Sequence, residues 1–399
     1  MSITIRSCRD QDEIKQYNAI GAYVFANNEG FDQEEVQTQP DWTTCGWDGD
    51  KLVATMGAFP FTGRLNGAPV PMAGVTMVGT LPGYRRQGIL RRIMTRGFEE
   101  MRERNQPIAI LWASMGAIYQ RFGYGFAAPF IRYTFDPRYA QFQEPMQAPG
   151  TVQLHTPEDA YGIIKTLYIE WATPRNLALH RSRALWQANT FHPEKKGEPV
   201  YVGIYSDTAG QPRGHIVYQT RGSEGDGQKM KVTDFIALDL EAYRGLWDYI
   251  LRHDLVHECV FEGVVGEDDP APDLLLEPRI LNKKVSDGIW LRVVDVEKAL
   301  AARPYATRGD LAIGLTDAMC EWNSGTWLME TDGATTDVRQ TDRTPDIVVT
   351  PNGLASLLAG YRTARHLARA GRISGSADGL ASADGLFETL YAPHCPNEF

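Results

Sequence analysis

Between Val78 and Met94 the chain reads Val78-Gly-Thr-Leu-Pro-Gly-Tyr-Arg-Arg-Gln-Gly-Ile-Leu-Arg-Arg-Ile-Met94. A strand-like run ends, a loop carries Gly83 and Gly88, and a helix begins. Five arginines and no acid lie between Arg85 and Arg96, in a chain whose 50 acids against 40 bases leave a net charge of −10. A helix N-terminus presents unpaired backbone N–H groups and a partial positive charge, which suits a pyrophosphate. Glycine lets a bulky phosphate reach the backbone, and flanking arginines add charge-assisted contacts. The spacing fits neither the dinucleotide fingerprint nor the P-loop, since the segment holds no GxGxxG and no GK[ST]. Two further groups could do chemistry. Tyr119 and Tyr124 stand in Ile118-Tyr-Gln-Arg-Phe-Gly-Tyr-Gly125, and His394 and Cys395 stand near the chain end. The Cys–His pair has no evident oriented third partner, so no nucleophile is assigned there.

The elements that must position these residues alternate. Ile3-Thr-Ile-Arg6 reads as a strand, and Asp10 and Asp12 stand where an N-cap and first turn favour acids, ahead of a helix to about Phe25. Strand runs follow at Lys51–Pro60 and Val70–Thr80 with Asn66-Gly67 as a hairpin signal. A helix is expected over about Arg86–Arg104, and Ile108-Ala-Ile-Leu-Trp112 reads as a buried strand. From Tyr139 to Thr151 the Gln, Pro and Gly content predicts a linker. The next stretch repeats the alphabet without the arginine loop. It has a helix at Pro157–Thr173, strands at Val200–Tyr205, His215–Thr220 and Lys231–Ala237, a helix at Leu240–His253 and a strand at Glu258–Val264. That self-similarity hints at a duplicated unit without the active site. The acidic run from Glu267 to Asp273 reads as a solvated loop. A small α+β module closes the chain, with a strand at Asp287–Val294, a helix at Val296–Ala302, a strand at Asp346–Thr350, and helices at Asn352–Ala359 and beyond Ser382.

Composition narrows the class. A chain of 399 residues, 43% hydrophobic and 23% charged, has material for two or three cores. The acidic balance argues against a general nucleic-acid binder and leaves room for cationic substrates. Five scattered cysteines with no CxxC pair give neither a disulfide framework nor a metal-ligand spacing. The start lacks an apolar leader and no run reaches eighteen apolar residues, so a cytoplasmic protein without a membrane span is expected.

Arg85-Arg-Gln-Gly88-Ile-Leu90 resembles the acyl-CoA-binding segment of the GNAT superfamily of N-acetyltransferases, [R/Q]-x-x-G-x-[G/A], departing from it at Leu90. Ile118–Gly125 resembles that superfamily's Tyr-x-x-x-Gly-Phe/Tyr element. Asp287-Gly-Ile-Trp-Leu-Arg-Val-Val-Asp-Val296 looks like the opening of the C-terminal domain of the Eis (enhanced intracellular survival) family, and Glu398-Phe399 resembles that family's chain end. The Gly-x-Leu ending is what that family shows. The resemblance covers essentially the whole chain. It implies an α/β and α+β architecture of two GNAT-like domains, each a mixed central sheet with helices, followed by a sterol-carrier-protein-like α+β domain. The expected division is 1–145 for the catalytic domain, 146–286 for a second GNAT-like domain without cofactor site, and 287–399 for the sterol-carrier-like domain. A homohexamer is carried over in the same way.

The resemblance also implies roles. Acetyl-CoA, as co-substrate and without a metal, would contact Val78, Gly79 and Thr80, then Arg86, Gln87, Gly88, Ile89, Leu90 and Arg91, then Ser114 and Met115. Tyr119 is implied as the general acid. With a thiol near ~8.5 and tyrosine near ~10, it would protonate the departing thiolate with little penalty. Tyr124 is the competitor, read as core because Phe122-Gly-Tyr-Gly125 continues into the next strand. The C-terminal carboxylate of Phe399 is implied as the base. Phe25, Asn27, Trp112 and Glu398 are candidates for the acceptor pocket, with Trp112 equally readable as core. The function implied is direct acetyl transfer to aminoglycoside, polyamine-like or lysine amines, on small molecules or peptides. Alternatives of other classes are a lipid- or ligand-binding protein that uses the sterol-carrier-like domain beside a vestigial transferase site, and a structural scaffold.

Overall fold

In the computed structural model, β1 (Ile3–Arg6) leads to Asp10, whose carboxylate accepts from the Asp12 and Glu13 N–H groups at 3.0 and 2.9 Å and starts α1 (Gln11–Phe25). Strands β2 (Cys45–Asp48), β3 (Lys51–Leu65) and β4 (Ala68–Thr80) follow. The β3–β4 hairpin turns on Asn66 and Gly67, both left-handed at φ 46° and 93°, as this dipeptide permits. Next come α2 (Ile89–Glu103), β5 (Ile108–Trp112), the short α3 (Gly116–Gln120) and β6 (Gly125–Phe135). The middle of the chain forms β7 (Thr151–His155), α4 (Pro157–Ala172), the single turn α5 (Arg183–Leu185), β8 (Tyr201–Ser206), β9 (Pro212–Ser223), β10 (Gly227–Ala237), α6 (Leu240–Leu251), β11 (Val256–Glu262) and α7 (Ala271–Leu274). The last part forms β12 (Lys284–Val293), α8 (Val296–Ala301), β13 (Gly309–Leu315), β14 (Gly325–Thr331), β15 (Thr336–Gln340), β16 (Ile347–Val349), α9 (Pro351–Leu358), α10 (Ala364–Arg369), β17 (Ile373–Gly375) and α11 (Ala377–Leu386). The structure describes residues 3–26, 38–144, 148–195, 197–223 and 227–399.

These elements form two units. The first comprises the described residues of Met1–Ala128 with Asp287–Leu390 and Phe399; the second comprises those of Pro129–Ser286 with Tyr391–Glu398. In the first, the strands run in the order β1-β2-β3-β4-β5-β12, and a separate five-stranded sheet runs β15-β14-β13-β16-β17. Ile89, Ile93, Met94, Phe98 and Met101 line one face of α2 and pack with Met56, Val75, Ala109 and Leu111. β12 pairs antiparallel with β5, Ile289 opposite Trp112 through Val293 opposite Ile108, although the chain between them is long. In the second unit the order is β6-β11-β10-β9-β8-β7, around Tyr205, Phe235, Trp247 and Phe261.

The succession β1-α1-β2-β3-β4-α2-β5 recurs as β7-α4-β8-β9-β10-α6-β11, with α5 as an extra turn. In each, the fourth strand is parallel to the fifth and antiparallel to the third. The mixed sheets with covering helices are the α/β and α+β architecture expected. Three details differ from the sequence expectation. Helix α2 starts three residues after Arg86, because Arg86 and Gly88 take left-handed φ values of 63° and 75°. Strands β13, β14 and β15 lie where no strand was expected. The acidic run is not simply solvated, since Asp269 accepts hydrogen bonds from the Tyr133 and Tyr243 hydroxyls at 3.0 and 2.9 Å. Among the described residues, no helix is long and apolar enough to cross a membrane.

Candidate active site

β4 and β5 pair only at Met72–Gly74 against Ile108–Ile110, after which β4 runs on to Thr80. A cleft of about 700 Å³ in the first unit is lined by the end of β4, the loop into α2, and the residues that follow β5. Thr55 pairs with Gly79 and Gly57 with Thr76, so Met77 and Val78 together oppose the single residue Met56. This is a bulge in β4. Met77 has φ 53°, and the Thr55 hydroxyl donates to its carbonyl at 2.7 Å. The bulge re-aims the last residues of β4, and Val78, Gly79 and Thr80 all line the cleft.

The loop that follows is built to leave a helix start open. Gly88 caps α2 in a left-handed conformation with no side-chain hydrogen bond, and the first turn holds no acid. A Cβ at Gly88 would meet nothing within 4 Å, so the constraint on this position is its φ of 75° and free access to the backbone. Arg85, Arg86 and Arg91 are exposed around it and line the cleft. Arg85 Nε donates to the Thr80 carbonyl at 2.9 Å, and Gln87 Nε2 donates to the Gly83 carbonyl at 3.2 Å. Tyr84 donates to Asp48 Oδ2 at 2.9 Å, fixing the loop's outer side. Open N–H groups, left-handed turns and cations together form a seat for an anion of phosphate type.

Tyr119 is buried at the end of α3, and its side chain lines the cleft. Burial pushes its phenol up to about 12, with the neighbouring Ser114 hydroxyl working the other way. Its ring meets Tyr124 edge-on, centroids 5.9 Å apart. Tyr124 is fully buried and driven higher still by the same cause, and it does not line the cleft. The turn between them is tight. Gly123 has φ 84°, and a Cβ on it would come within 2.4 Å of Arg292, which is buried against Asp317 at 2.5 Å.

Phe399 belongs to the first unit. Its ring packs edge-on against Phe61, centroids 5.0 Å apart, and a Cβ on Gly74 would approach it to 3.1 Å. Gly74 is the β4 residue at which pairing with β5 ends. Phe61 meets Phe59, and Phe59 meets Trp42, at 6.2 and 5.6 Å.

The cleft thus gathers Val78, Gly79, Thr80, Arg86, Gly88, Ile89, Leu90, Arg91, Ser114, Met115 and Tyr119, with Phe25 on its rim. Gln87, Trp112, Glu398 and Phe399 are not among its lining residues. Gln87 belongs to the loop, Trp112 ends β5 and Phe399 lies on Phe61. Glu398 is in the second unit, where partial loss of hydration and the nearby Glu262 raise its carboxylate pKa. Asn27 lies outside the described residues. The cleft also takes Val24, Tyr84, Arg85, Ile118, Arg121, Phe122 and Met319. Val24 and Tyr84 stand beside singled-out residues and were within reach of the sequence. Met319 had no local signal, because only the tertiary fold brings it there.

An acetyltransferase (GNAT) domain model matches residues 4–127, a second acetyltransferase (GNAT) domain model matches 177–293, and a sterol carrier protein domain model matches 296–396. An uncharacterized N-acetyltransferase of Streptomyces avermitilis is 29% identical over 100% of both chains. N-acetyltransferase Eis of Mycobacterium tuberculosis is 29% identical over 76% of this chain and 74% of its own. The crystal structure of Eis1 from Mycobacterium abscessus superposes with a TM-score of 0.86 at 28% identity, covering 100% of each chain.

Proposed function

Because this chain is a GNAT N-acetyltransferase of the Eis family, we propose that it passes the acetyl group of acetyl-CoA directly to an amine, with Tyr119 as acid and the Phe399 carboxylate as base. The observation that carries the reading is that one cleft collects the β4 bulge, the open α2 start and Tyr119. In this reading the α2 start with Arg86, Gln87, Gly88, Ile89, Leu90 and Arg91 receives the pyrophosphate. Val78, Gly79 and Thr80, with Ser114 and Met115, flank the acyl-bearing arm. Bound acetyl-CoA supplies the thioester carbon that the amine attacks. A C–N bond forms, the C–S bond breaks, the amine proton passes toward the Phe399 carboxylate through water, and the Tyr119 hydroxyl donates to the leaving thiolate.

The base is weak, near ~3.5, so it orients and attracts an ammonium as much as it deprotonates it. Tyr119 needs a companion argument as well. At about 12 it lies some 3–4 pKa units above a thiol in water, roughly 5 kcal/mol of mismatch. A thiolate leaving inside the cleft is desolvated too, and its proton affinity rises with that of the phenol, which restores the match.

The acceptor is proposed to be a cationic amine of aminoglycoside, polyamine or lysine type, met by Phe25, Asn27, Trp112 and Glu398. The same reading divides the chain at 145 and 286 and makes it a cytoplasmic homohexamer. The test is CoA release from acetyl-CoA across a panel of amines, together with the melting temperature in excess acetyl-CoA. A ligand at about a hundred times its Kd adds ~2.7 kcal/mol to the native state. Release with at least one amine and a shift of several degrees are expected. No release and no shift would favour the lipid- or ligand-binding alternative.

A further inference from the structure

The second unit repeats the β4 bulge but not the seat. Val232 pairs with Tyr218 and Asp234 with Val217, so Thr233 is the extra residue on β10. Asp234 therefore stands where the first unit brings the bulged end of β4 to its cleft. It is fully buried and accepts Arg181 Nη1 and Nη2 at 2.7 and 3.0 Å and shares His215 Nε2 at 2.9 Å. The Arg181 guanidinium is itself buried, 3.8 Å from the ring centre of Tyr168 and 4.5 Å from that of Trp186. Carboxylate and rings fix its plane, and its Nε donates at 3.2 Å to Asn397 Oδ1.

Asn397 belongs to a segment without regular secondary structure that is nonetheless buried, with His394, Cys395 and Asn397 at 4%, 3% and 0% exposure. The His394 N–H donates to the Asn176 carbonyl at 3.0 Å, the Ala392 N–H to Asp268 Oδ2 at 2.9 Å, and Cys395 Sγ to the Asn397 carbonyl at 3.4 Å. Chain ends fray unless something holds them. A buried ion pair adds little net stability over apolar packing of the same volume, but it fixes direction. We propose that the second unit has exchanged cofactor binding for the holding of the chain end. Arg181, set by Asp234 and His215, is a positioning residue that fixes Asn397 and so limits where the Phe399 carboxylate lies. Two residues span at most about 7 Å, so little freedom is left beyond Asn397. This rests on the reading of Phe399 as base.

The experiment compares four variants with the full chain, using one accepted amine. Asn397→Leu removes the acceptor of Arg181 and leaves the buried pair intact. Arg181→Met with Asp234→Leu replaces the pair by apolar volume. Both should lower kcat about tenfold or more while the Kd for acetyl-CoA stays within twofold and melting stays within a few degrees. Asn397→Asp keeps an acceptor for Arg181 Nε and should retain most of the rate. Deletion of Phe399 alone separates the two readings. If the deletion leaves the rate intact, the terminal base is wrong. If the deletion collapses the rate while Asn397→Leu and the double variant turn over normally, the terminal base stands and the positioning role is overturned.

Discussion

Two strand-to-helix junctions in this molecule are built on one plan and finished in opposite ways. In the first unit β4 runs into α2 through a glycine cap with no side-chain bond, no acid in the first turn and exposed arginines around it. In the second, β10 runs into α6 through Asp239, whose carboxylate accepts the Ala242 N–H at 2.8 Å and is paired with Arg213 at 3.0 Å. Glu241 in the α6 first turn accepts from Tyr205 at 2.7 Å. The helix start that is open to a visiting anion in one unit carries the chain's own carboxylates in the other. The short helix after the fifth strand differs as well. α3 brings Tyr119, whereas α7 reads Ala271-Pro-Asp-Leu274. Strand order and bulge are common to both, so neither makes a site. The cap and the arginines do.

The largest expected effect comes from importing the second junction's chemistry into the first. Gly88→Asp places a carboxylate at the α2 cap, and Asp is among the few side chains that tolerate the left-handed φ of 75°. Repulsion and loss of the open N–H groups should weaken acetyl-CoA binding about a hundredfold or more by calorimetry, with the melting temperature of the free protein moving only a few degrees. Undiminished binding would break the comparison. Next, Tyr119→Phe makes α3 resemble α7 in chemistry while keeping the ring. Turnover should fall about a hundredfold with the KM for acetyl-CoA unchanged. Burial holds Tyr119 near about 12, so the wild-type rate should show no alkaline limb from this group below about pH 10.

A smaller effect is expected from unplugging the second junction. Asp239→Ala removes a cap worth about 1 kcal/mol, so melting should drop by a few degrees at unchanged turnover. The smallest effect is a cancellation between two buried groups of the second unit. Burial and the Arg175 charge push His394 down to about 4, so the unfolded chain binds more protons between pH 6.5 and 4 and acidification there destabilises. Burial pushes Asp269 up to about 6, so the folded chain binds more protons between pH 6 and about 4 and acidification there stabilises. Melting of the wild type should therefore owe little net slope to this pair across pH 6 to 4. His394→Gln should give a curve that rises on acidification and Asp269→Asn one that falls, by roughly 1–2 kcal/mol each. Equal slopes in both variants would remove these groups from the account.

Local features were legible in the sequence because local chemistry dictates them. Asp10 as cap, Asn66-Gly67 as turn and Ile108–Trp112 as strand all appear where their residue types demand. The phosphate-type loop was legible for the same reason, although its left-handed residues delay the helix. What escaped depends on distant partners. Asp269 sits in an acidic run that looks solvated until Tyr133 and Tyr243 arrive from a strand and a helix far off in the chain. Met319 reaches the cleft from about two hundred residues beyond α3. Asp287–Val294 was legible as a strand, but its partner was not, because an apolar run does not declare which edge it will cover.

That partner has a consequence for how the protein is made. Strand β5 receives β12 only after the ribosome has added the intervening residues between Trp112 and Ile289. At about 5–20 residues per second, that takes on the order of 10–40 seconds. During that interval β5 emerges with an unpaired apolar edge, while the residues of the second unit are synthesised in one uninterrupted stretch as far as Ser286. The later-coded unit is thus free to mature first, and the earlier-coded one waits for its last strand. A nascent chain stalled before Ile289 exposes a sticky sheet edge of the kind that chaperones shield.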